Sequence, residues 1–108
     1  MQSLLDEVKA RRQREQEALR KTLLHRLQAA LPDLQTRLGF HTLYVFGSLC
    51  RTGEFRSDSD ADLAVAGCPP EQFFGLQGRL EALLERPVDL LDLDCSRRSV
   101  TDLKARAL

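Results

Sequence analysis

Apolar residues recur along the first third of the chain at steps of four and three, the spacing of one face of an α-helix. The stripe consists of Leu19, Leu23, Leu27, Leu31, Leu34 and Leu38. Ser3 followed by Asp6 is typical of a helix N-terminus, and no Gly or Pro occurs between them and Pro32. The pattern therefore predicts a long helix over residues 3–31. We expect Pro32 to start a new turn or to kink the helix, and Gly39 to cap its C-terminus.

After Gly39 the pattern changes to short apolar runs separated by turn residues, which is typical of strands that alternate with helices. The runs predict strands over residues 41–46, 61–66 and 88–93, a short helical turn over 49–53, and helices over about 71–85 and 100–108. The resulting order, α-β-α-β-α-β-α, predicts an α/β fold in which helices pack against one sheet.

Two carboxylates stand one residue apart where the second predicted strand begins. Asp60 and Asp62 flank Ala61, and alternate side chains of a strand point to the same face. Both carboxylates are therefore expected on one face, with the apolar residues between and after them facing the core. The same alternation in the third strand places Asp89 on the face opposite Val88. Asp89 is thus a candidate third carboxylate from a neighbouring strand.

The charge balance narrows the classes of partner. A chain of 108 residues predicts one domain with one modest core, and a formal net charge of zero argues against a general nucleic-acid or membrane binder. The charge is uneven, however. Residues 1–26 carry seven Lys or Arg against four acids, whereas residues 54–94 carry ten acids against three Arg. An acidic cleft attracts cations, and bound cations would then accept a triphosphate.

Cysteine usage and hydropathy favour a cytoplasmic protein. The chain has three cysteines, no Cys-x-x-Cys pair and no secretion signal, which indicates reduced thiols. No apolar run approaches the roughly 20 residues that a bilayer span needs, so no membrane partner is expected. His25 and His41 are isolated and do not suggest a zinc site.

The arrangement of acids suits phosphoryl or nucleotidyl transfer, which needs charge neutralisation more than covalent chemistry. Two Mg²⁺ ions provide it by clamping the attacking oxygen and the leaving group, and such ions require several hard oxygen ligands close together. Asp60 and Asp62 supply two carboxylates from one strand face. Asp89 would help to ligate an ion and accept the proton of the attacking hydroxyl.

The turn after the first predicted strand suits a phosphate. Gly47 leaves room for a phosphate to approach the backbone, and the Ser48 hydroxyl and nearby N–H groups are hydrogen-bond donors. Arg51 and Arg56 are candidate phosphate partners. Each feature alone is common in turns and strand ends. The ordered combination is far more specific: an apolar strand ending in Gly-Ser, eleven residues, Asp-Ala-Asp-Leu, and an acid on a third strand.

The start of the first helix differs from its remainder. Leu4, Leu5 and Val8 form a small apolar patch, and Lys9 to Glu17 contains no large apolar residue. Two interpretations remain open: a solvated helix end, or a patch that docks a partner subunit.

At the Gly-Ser and Asp-x-Asp motifs the chain resembles the nucleotidyltransferase superfamily typified by polymerase β, and within it the minimal nucleotidyltransferase (MNT) proteins. The shared pattern is an apolar residue before Gly-Ser, about ten residues, Asp-x-Asp and a later third Asp. Here it consists of Phe46-Gly47-Ser48, Asp60-Ala61-Asp62 and Asp89. The resemblance runs from about residue 34 to residue 95.

The resemblance implies a small mixed sheet flanked by helices, a palm-like α/β (α+β) nucleotidyltransferase fold to which this chain adds a long N-terminal helix. We expect one minimal nucleotidyltransferase domain over residues 1–108, with the long helix over 1–31 and the catalytic core over 40–95. Gly47, Ser48 and Arg51 would bind the nucleotide. Asp60, Asp62 and Asp89 would be both the catalytic and the metal-ligating residues.

The activity that the resemblance implies is transfer of AMP from ATP with Mg²⁺, through two ions. Many minimal members are antitoxins that bind a HEPN-domain RNase toxin and adenylylate a tyrosine on it. The leading hypothesis is therefore an adenylyltransferase antitoxin with a HEPN-type toxin as partner and no direct contact with nucleic acid. The alternatives are an antitoxin that neutralises its toxin by binding alone, and transfer of a nucleotide to a small molecule.

Overall fold

The computed structural model describes residues 3–108. Its first element, α1, is a helix of 35 residues, Leu4–Leu38. The predicted helix start is confirmed, because the Ser3 hydroxyl accepts a hydrogen bond from the Asp6 N–H at 3.2 Å and the Asp6 carboxylate accepts one from the Ser3 N–H at 3.4 Å. Residues 1 and 2 of the predicted segment lie outside the described residues.

The predicted helix end at residue 31 is wrong, because Pro32 lies inside α1. A proline within a helix costs about 3 kcal/mol. Leu34 and Leu38 follow it and are only 6% and 7% exposed. Burial of a leucine side chain contributes about 1.5–3 kcal/mol, so the two together offset the cost of the proline. Gly39 caps the helix as predicted, in a left-handed conformation with φ of 74°.

Four strands form one mixed sheet. They are β1 at Thr42–Phe46, β2 at Ala61–Ala66, β3 at Val88–Asp92 and β4 at Arg106–Ala107, in the spatial order β3-β2-β1-β4. β2 and β3 are parallel, and the other pairs are antiparallel. Helix α2, Phe73–Leu84, connects the two parallel strands. The predicted small mixed sheet with a long N-terminal helix is thereby confirmed.

The two long helices and one face of the sheet enclose the core. Leucines of α1 and α2 join the inward-facing residues of the strands in one cluster, which includes Leu27, Leu43, Leu63, Leu80 and Leu90. The other face of the sheet carries Tyr44, Phe46, Asp62 and Asp89, which are all half-buried or exposed. The fold is therefore two-layered, and its second sheet face is available for a site.

Three further details of the sequence prediction fail. The short helical turn predicted over residues 49–53 is a 3₁₀ turn at Gly47–Cys50. The predicted helix over residues 100–108 is limited to Val100–Leu103, which we call α3, because Lys104 takes a left-handed conformation with φ of 53°. The chain then pairs with the free edge of β1 as β4, where the Leu108 N–H donates to the Leu43 carbonyl at 2.9 Å. Phe74, predicted on the apolar side of α2, is 79% exposed.

No helix within residues 3–108 is both long and apolar enough to cross a bilayer. The thiols of Cys50, Cys68 and Cys95 are free.

Candidate active site

The turn after β1 brings the backbone against a carboxylate. Phe46 pairs with Asp62 in the register of β1 and β2, so Gly47 emerges directly beside Asp62. Gly47 has a φ of 66° and begins a 3₁₀ turn, Gly47–Cys50. A Cβ atom at Gly47 would overlap the carboxylate oxygen Oδ2 of Asp62 and would lie 3.1 Å from its Cγ. Glycine therefore satisfies both the backbone conformation and the close approach.

Strand register brings the predicted carboxylates to one face. Asp62 pairs with Asp89 across the parallel strands β2 and β3, which lie about 4.8 Å apart in a sheet. Asp60 precedes β2 by one residue and shares the face of Asp62 by alternation. Asp60 and Asp89 are exposed and Asp62 is half-buried. We call Asp60, Asp62 and Asp89 the acid trio.

The acids of the trio act on one another electrostatically. Burial raises the pKa of the Asp62 carboxyl above its usual value, and the charges of Asp89 and Asp60 raise it further, while Arg51 opposes the rise. Within residues 3–108, no three metal-binding side chains converge as a ready-made ligand set. Carboxylate oxygens are nevertheless the ligands that Mg²⁺ prefers, and mutual repulsion is what a bound cation would relieve. The chemistry of the trio therefore fits a divalent cation.

The predicted phosphate residues occupy two different places. Ser48 lies in the 3₁₀ turn, where its carbonyl accepts from the Arg51 N–H at 3.2 Å. Arg51 lines a cleft with Gly47 and Asp62, and its guanidinium pairs with Glu54 at 3.1 Å. Arg56 is separate, because it lines a groove with Lys9 and other residues of α1. Arg51 is thus placed beside the acid trio, whereas Arg56 is not.

Sequence reasoning missed a clamp on this turn. The Arg20 guanidinium donates to the Leu49 carbonyl at 3.1 Å, and Glu17 accepts from the Gly53 N–H at 3.0 Å. Arg20 and Glu17 also pair with each other at 2.8 Å, which lowers the pKa of Glu17 to about 2. We call residues 47–53 the Gly-Ser loop. Helix α1 therefore fixes this loop through one buried arginine and its carboxylate partner.

A second arginine holds the chain just before the acids. Arg86 donates to the Ser59 carbonyl at 3.0 Å, and its guanidinium carbon lies 4.9 Å from the centre of the buried Phe55 ring. The connection from the Gly-Ser loop to Asp60 is thus anchored near its end. The sequence carries no local signal for either arginine, since both contacts join residues 27 or more positions apart.

A cleft of about 430 Å³ opens beside the Gly-Ser loop. Its lining includes Gly47, Arg51 and Asp62 from the predicted site, and Arg98 and Lys104 from the C-terminal segment. Sequence reasoning missed both C-terminal cations, because it placed them outside the catalytic core and assigned them no role.

Comparison with protein families decides the classification. Residues 32–105 match the model of the family described as polymerase beta, nucleotidyltransferase, which covers more than half of the chain. The chain belongs to the polymerase β nucleotidyltransferase family. In this nucleotidyltransferase the family match spans every residue of the acid trio, the Gly-Ser loop and both C-terminal cations.

Solved structures with the same fold support this nucleotidyltransferase architecture. A toxin–antitoxin crystal structure with AMP-PNP has a TM-score of 0.58 and 23% identity, covering 73% of this chain and 69% of the other. Two mutant MntA–HpeT toxin–antitoxin structures have TM-scores of 0.53 and 0.51, with 20% and 22% identity. Each covers 82% of this chain, and 70% and 69% of the other, respectively. No curated protein matches the sequence.

Proposed function

We propose that this chain is a Mg²⁺-dependent nucleotidyltransferase that transfers AMP from ATP to a tyrosine hydroxyl of a HEPN-type toxin and thereby acts as its antitoxin. The observation that carries the proposal is the placement of the acid trio beside the glycine of the Gly-Ser loop. Membership of the nucleotidyltransferase family and the fold shared with a toxin–antitoxin complex that contains AMP-PNP support it. We further propose residues 40–95 as the catalytic core of a single domain that works in the cytoplasm.

The Gly-Ser loop is the donor side of the site. Gly47 brings the backbone of the loop against Asp62. The Ser48 hydroxyl and the Arg51 guanidinium provide donors for phosphate oxygens. The clamp from Arg20 and Glu17 holds the loop in this conformation before the nucleotide arrives. Such preorganisation reduces the conformational cost of binding.

Asp60, Asp62 and Asp89 would be the ligands that hold Mg²⁺. When bound, the ions would neutralise the negative charge that develops on the phosphate oxygens. The transfer itself forms a bond from the acceptor oxygen to the α-phosphorus and breaks the bond from that phosphorus to the leaving pyrophosphate. Asp89, on the outer strand of the site, accepts the proton of the hydroxyl.

The open sheet face suits an acceptor on another protein. Asp89 is exposed on the outermost strand, β3, so a tyrosine presented by a partner reaches it without displacing an element of this chain. A solvent-exposed acceptor side favours a macromolecular hydroxyl over a small molecule, which this class of site would have to enclose.

The test incubates the protein with ATP labelled on its α-phosphate, Mg²⁺ and a HEPN-type toxin encoded by a neighbouring gene. Wild type is expected to label the toxin, and the label should be lost when the toxin tyrosine is replaced by Phe. The Asp60→Ala/Asp62→Ala double variant should transfer no label. Asp33→Ala is the matched control, because Asp33 is an exposed acid that pairs with Arg37 on α1.

Label transfer that survives in the double variant would refute the assigned mechanism. Tight complex formation by wild type without any transfer would instead support the binding-only antitoxin. Label recovered on a small molecule and not on the toxin would support the third hypothesis.

A further inference from the structure

The cleft beside the Gly-Ser loop is lined by charged residues of both signs. Its acids are Asp62 of the acid trio and Asp102, and its cations are Arg51, Arg98 and Lys104. In the described part of the chain, the side chains of Arg98 and Lys104 form neither an ion pair nor a hydrogen bond. Two cations that line a concave surface without a protein partner are arranged for an anion from outside the chain.

The C-terminal segment holds these cations in place. Ser99 and Asp102 form a reciprocal cap at the start of α3, with both N–H to side-chain bonds at 3.0 Å. Lys104 ends α3, where its N–H donates to the Thr101 carbonyl at 3.1 Å. β4 then ties the chain to β1. The backbone that carries both cations is therefore fixed before any ligand binds.

The other charged residues of the cleft are already engaged. Hydrogen bonds from Ser99 lower the pKa of Asp102, whose carboxylate serves the cap of α3. Arg51 shares its guanidinium with Glu54. The charge of Arg98 also lowers the pKa of Asp102, without an ion pair between the two side chains. Among the described residues that line the cleft, Asp62, Arg98 and Lys104 form no side-chain hydrogen bond or ion pair.

A nucleoside triphosphate with a divalent cation matches this combination of acidic and basic groups. The cation would be attracted to the acid trio, while phosphate oxygens that the cation leaves uncompensated require positive partners. Gly47 lines the same cleft and brings the Gly-Ser loop against Asp62, so phosphates held by the loop would lie beside the acid trio. A cleft of about 430 Å³ is of the size that encloses a small-molecule ligand.

We propose that Arg98 and Lys104 bind the phosphates of the ATP donor from the side of α3 and complete the donor subsite that the Gly-Ser loop begins. This inference rests on the proposed nucleotidyl transfer and adds to it a segment outside the predicted core of residues 40–95. The two residues act on binding of the donor. Binding measurements therefore test them independently of any acceptor.

The experiment measures the affinity of the purified chain for Mg²⁺–AMP-PNP by calorimetry at low salt. Arg98→Gln and Lys104→Gln remove charge while keeping a polar side chain, and each is expected to weaken binding about tenfold. The charge-retaining variants Arg98→Lys and Lys104→Arg should recover most of the affinity. Weaker salt dependence of binding is expected in the Gln variants, because fewer charges contribute.

Arg97→Gln is the matched control, since Arg97 is the exposed neighbour of Arg98 and does not line the cleft. It should bind Mg²⁺–AMP-PNP as wild type does. Thermal unfolding checks that each variant retains the fold. Wild-type affinity in the folded Arg98→Gln/Lys104→Gln double variant would overturn the inference, as would weakening by Arg97→Gln equal to that by Arg98→Gln.

The outcomes separate this inference from the proposed function. Nucleotide binding that depends on Arg98 and Lys104, together with no transfer to a toxin, would support the donor subsite and refute the proposed acceptor. Absence of any Mg²⁺–AMP-PNP binding by wild type would refute both.

Discussion

At the scale of single residues, the site depends on how closely the backbone at Gly47 approaches Asp62. Two separate constraints coincide there: a φ of 66°, and a space that the Asp62 carboxylate occupies. Gly53 in the same loop has a φ of 82° but nothing within 4 Å of an added Cβ. Comparing substitutions at Gly47 and Gly53 therefore separates the cost of a left-handed backbone from the cost of a steric clash.

We predict that Gly53→Ala lowers the free energy of unfolding by about 1–2 kcal/mol, the cost of a left-handed alanine. Gly47→Ala should lower the free energy of unfolding by the same amount and by about 1–3 kcal/mol more, because its methyl group displaces Asp62. Denaturant unfolding measures both values, and calorimetry with Mg²⁺–AMP-PNP should show lost affinity in Gly47→Ala alone. Equal destabilisation by the two changes would contradict the steric argument.

Asp62 carries an electrostatic cost, because its carboxylate is half-buried beside two other acids. Its raised pKa means that the folded chain holds a proton there more tightly than the unfolded chain does. This contribution to stability is present at low pH and is lost as the pH rises from the usual value of 3.8 through the raised one. At neutral pH the ionised carboxylate therefore destabilises the fold, unless a cation compensates for it.

We predict that Asp62→Asn raises the melting temperature at pH 7 by about 2–5 °C in the absence of divalent cations, because it removes a half-buried repelled charge. Wild type should gain stability on addition of Mg²⁺, and Asp62→Asn should gain much less. Differential scanning calorimetry with and without Mg²⁺ measures this, with Asp58→Asn as the control in an exposed loop. A lower melting temperature for Asp62→Asn would contradict the claim that the ionised Asp62 carboxylate destabilises the fold.

At the scale of elements, helix α1 supports the site as well as the core. Its central turns hold the Gly-Ser loop through Arg20, which is only 6% exposed, and through Glu17. Arg86, in the connection between α2 and β3, holds the other end of the segment that leads to Asp60. The segment that leads from the Gly-Ser loop to Asp60 is thus held at both ends by an arginine, one from α1 and one from the connection before β3.

We predict that Arg20→Met lowers the free energy of unfolding by about 2–3 kcal/mol, because it leaves the Leu49 carbonyl and the Glu17 carboxylate without their partner. Nucleotide binding should weaken as well, since the Gly-Ser loop loses its anchor. Denaturant unfolding and calorimetry measure the two effects. Asp33→Asn, which breaks an exposed pair with Arg37, is the control and should change stability by less than about 0.5 kcal/mol.

The same clamp has a pH signature. The pKa of Glu17 is lowered to about 2, so its contribution is fully present above the usual value of 4.5 and is lost as the pH falls from 4.5 towards 2. Glu17→Gln should therefore be less stable than wild type at pH 7, and the difference should shrink across this acid range. A difference that stays constant from pH 7 to pH 2 would contradict the role given to the Glu17 carboxylate.

Local patterns predicted most elements of this fold but not where two of them end. The strand at Ala61–Ala66 and the caps at Ser3 and Gly39 are confirmed, because alternation and capping depend on adjacent residues. The continuation of α1 through Pro32 depends on what Leu34 and Leu38 bury. β4 forms because β1 has a free edge, and the local propensity of residues 106–107 does not predict that pairing.

At the scale of the whole molecule, the hydrophobic core and the candidate site lie on opposite faces of the sheet. The helices α1 and α2 bury one face of the sheet, and the opposite face presents the acid trio with a cleft beside it. The molecule measures 56 × 27 × 18 Å, and its long dimension matches a helix of 35 residues at about 1.5 Å per residue. The start of α1 extends into solvent, where Leu4 and Leu5 are 76% and 61% exposed. Both interpretations of that patch, a solvated end and a docking surface, remain consistent with its exposure.

The sequence by itself determined which residues make up the candidate site: Gly47 and Ser48 after a buried strand, Asp60 and Asp62 on one strand face, and Asp89 on the next strand. The shared face of the acids follows from alternation along single strands, and the turn follows from the residue types Gly and Ser. Both depend only on neighbouring residues. Only the tertiary structure decided which cations lie near these residues. Arg20 and Arg86 hold the segment between Leu49 and Ser59, and Arg98 and Lys104 line the cleft. Their positions depend on contacts between residues far apart in the chain, and such contacts exist only once the sheet and its helices have packed.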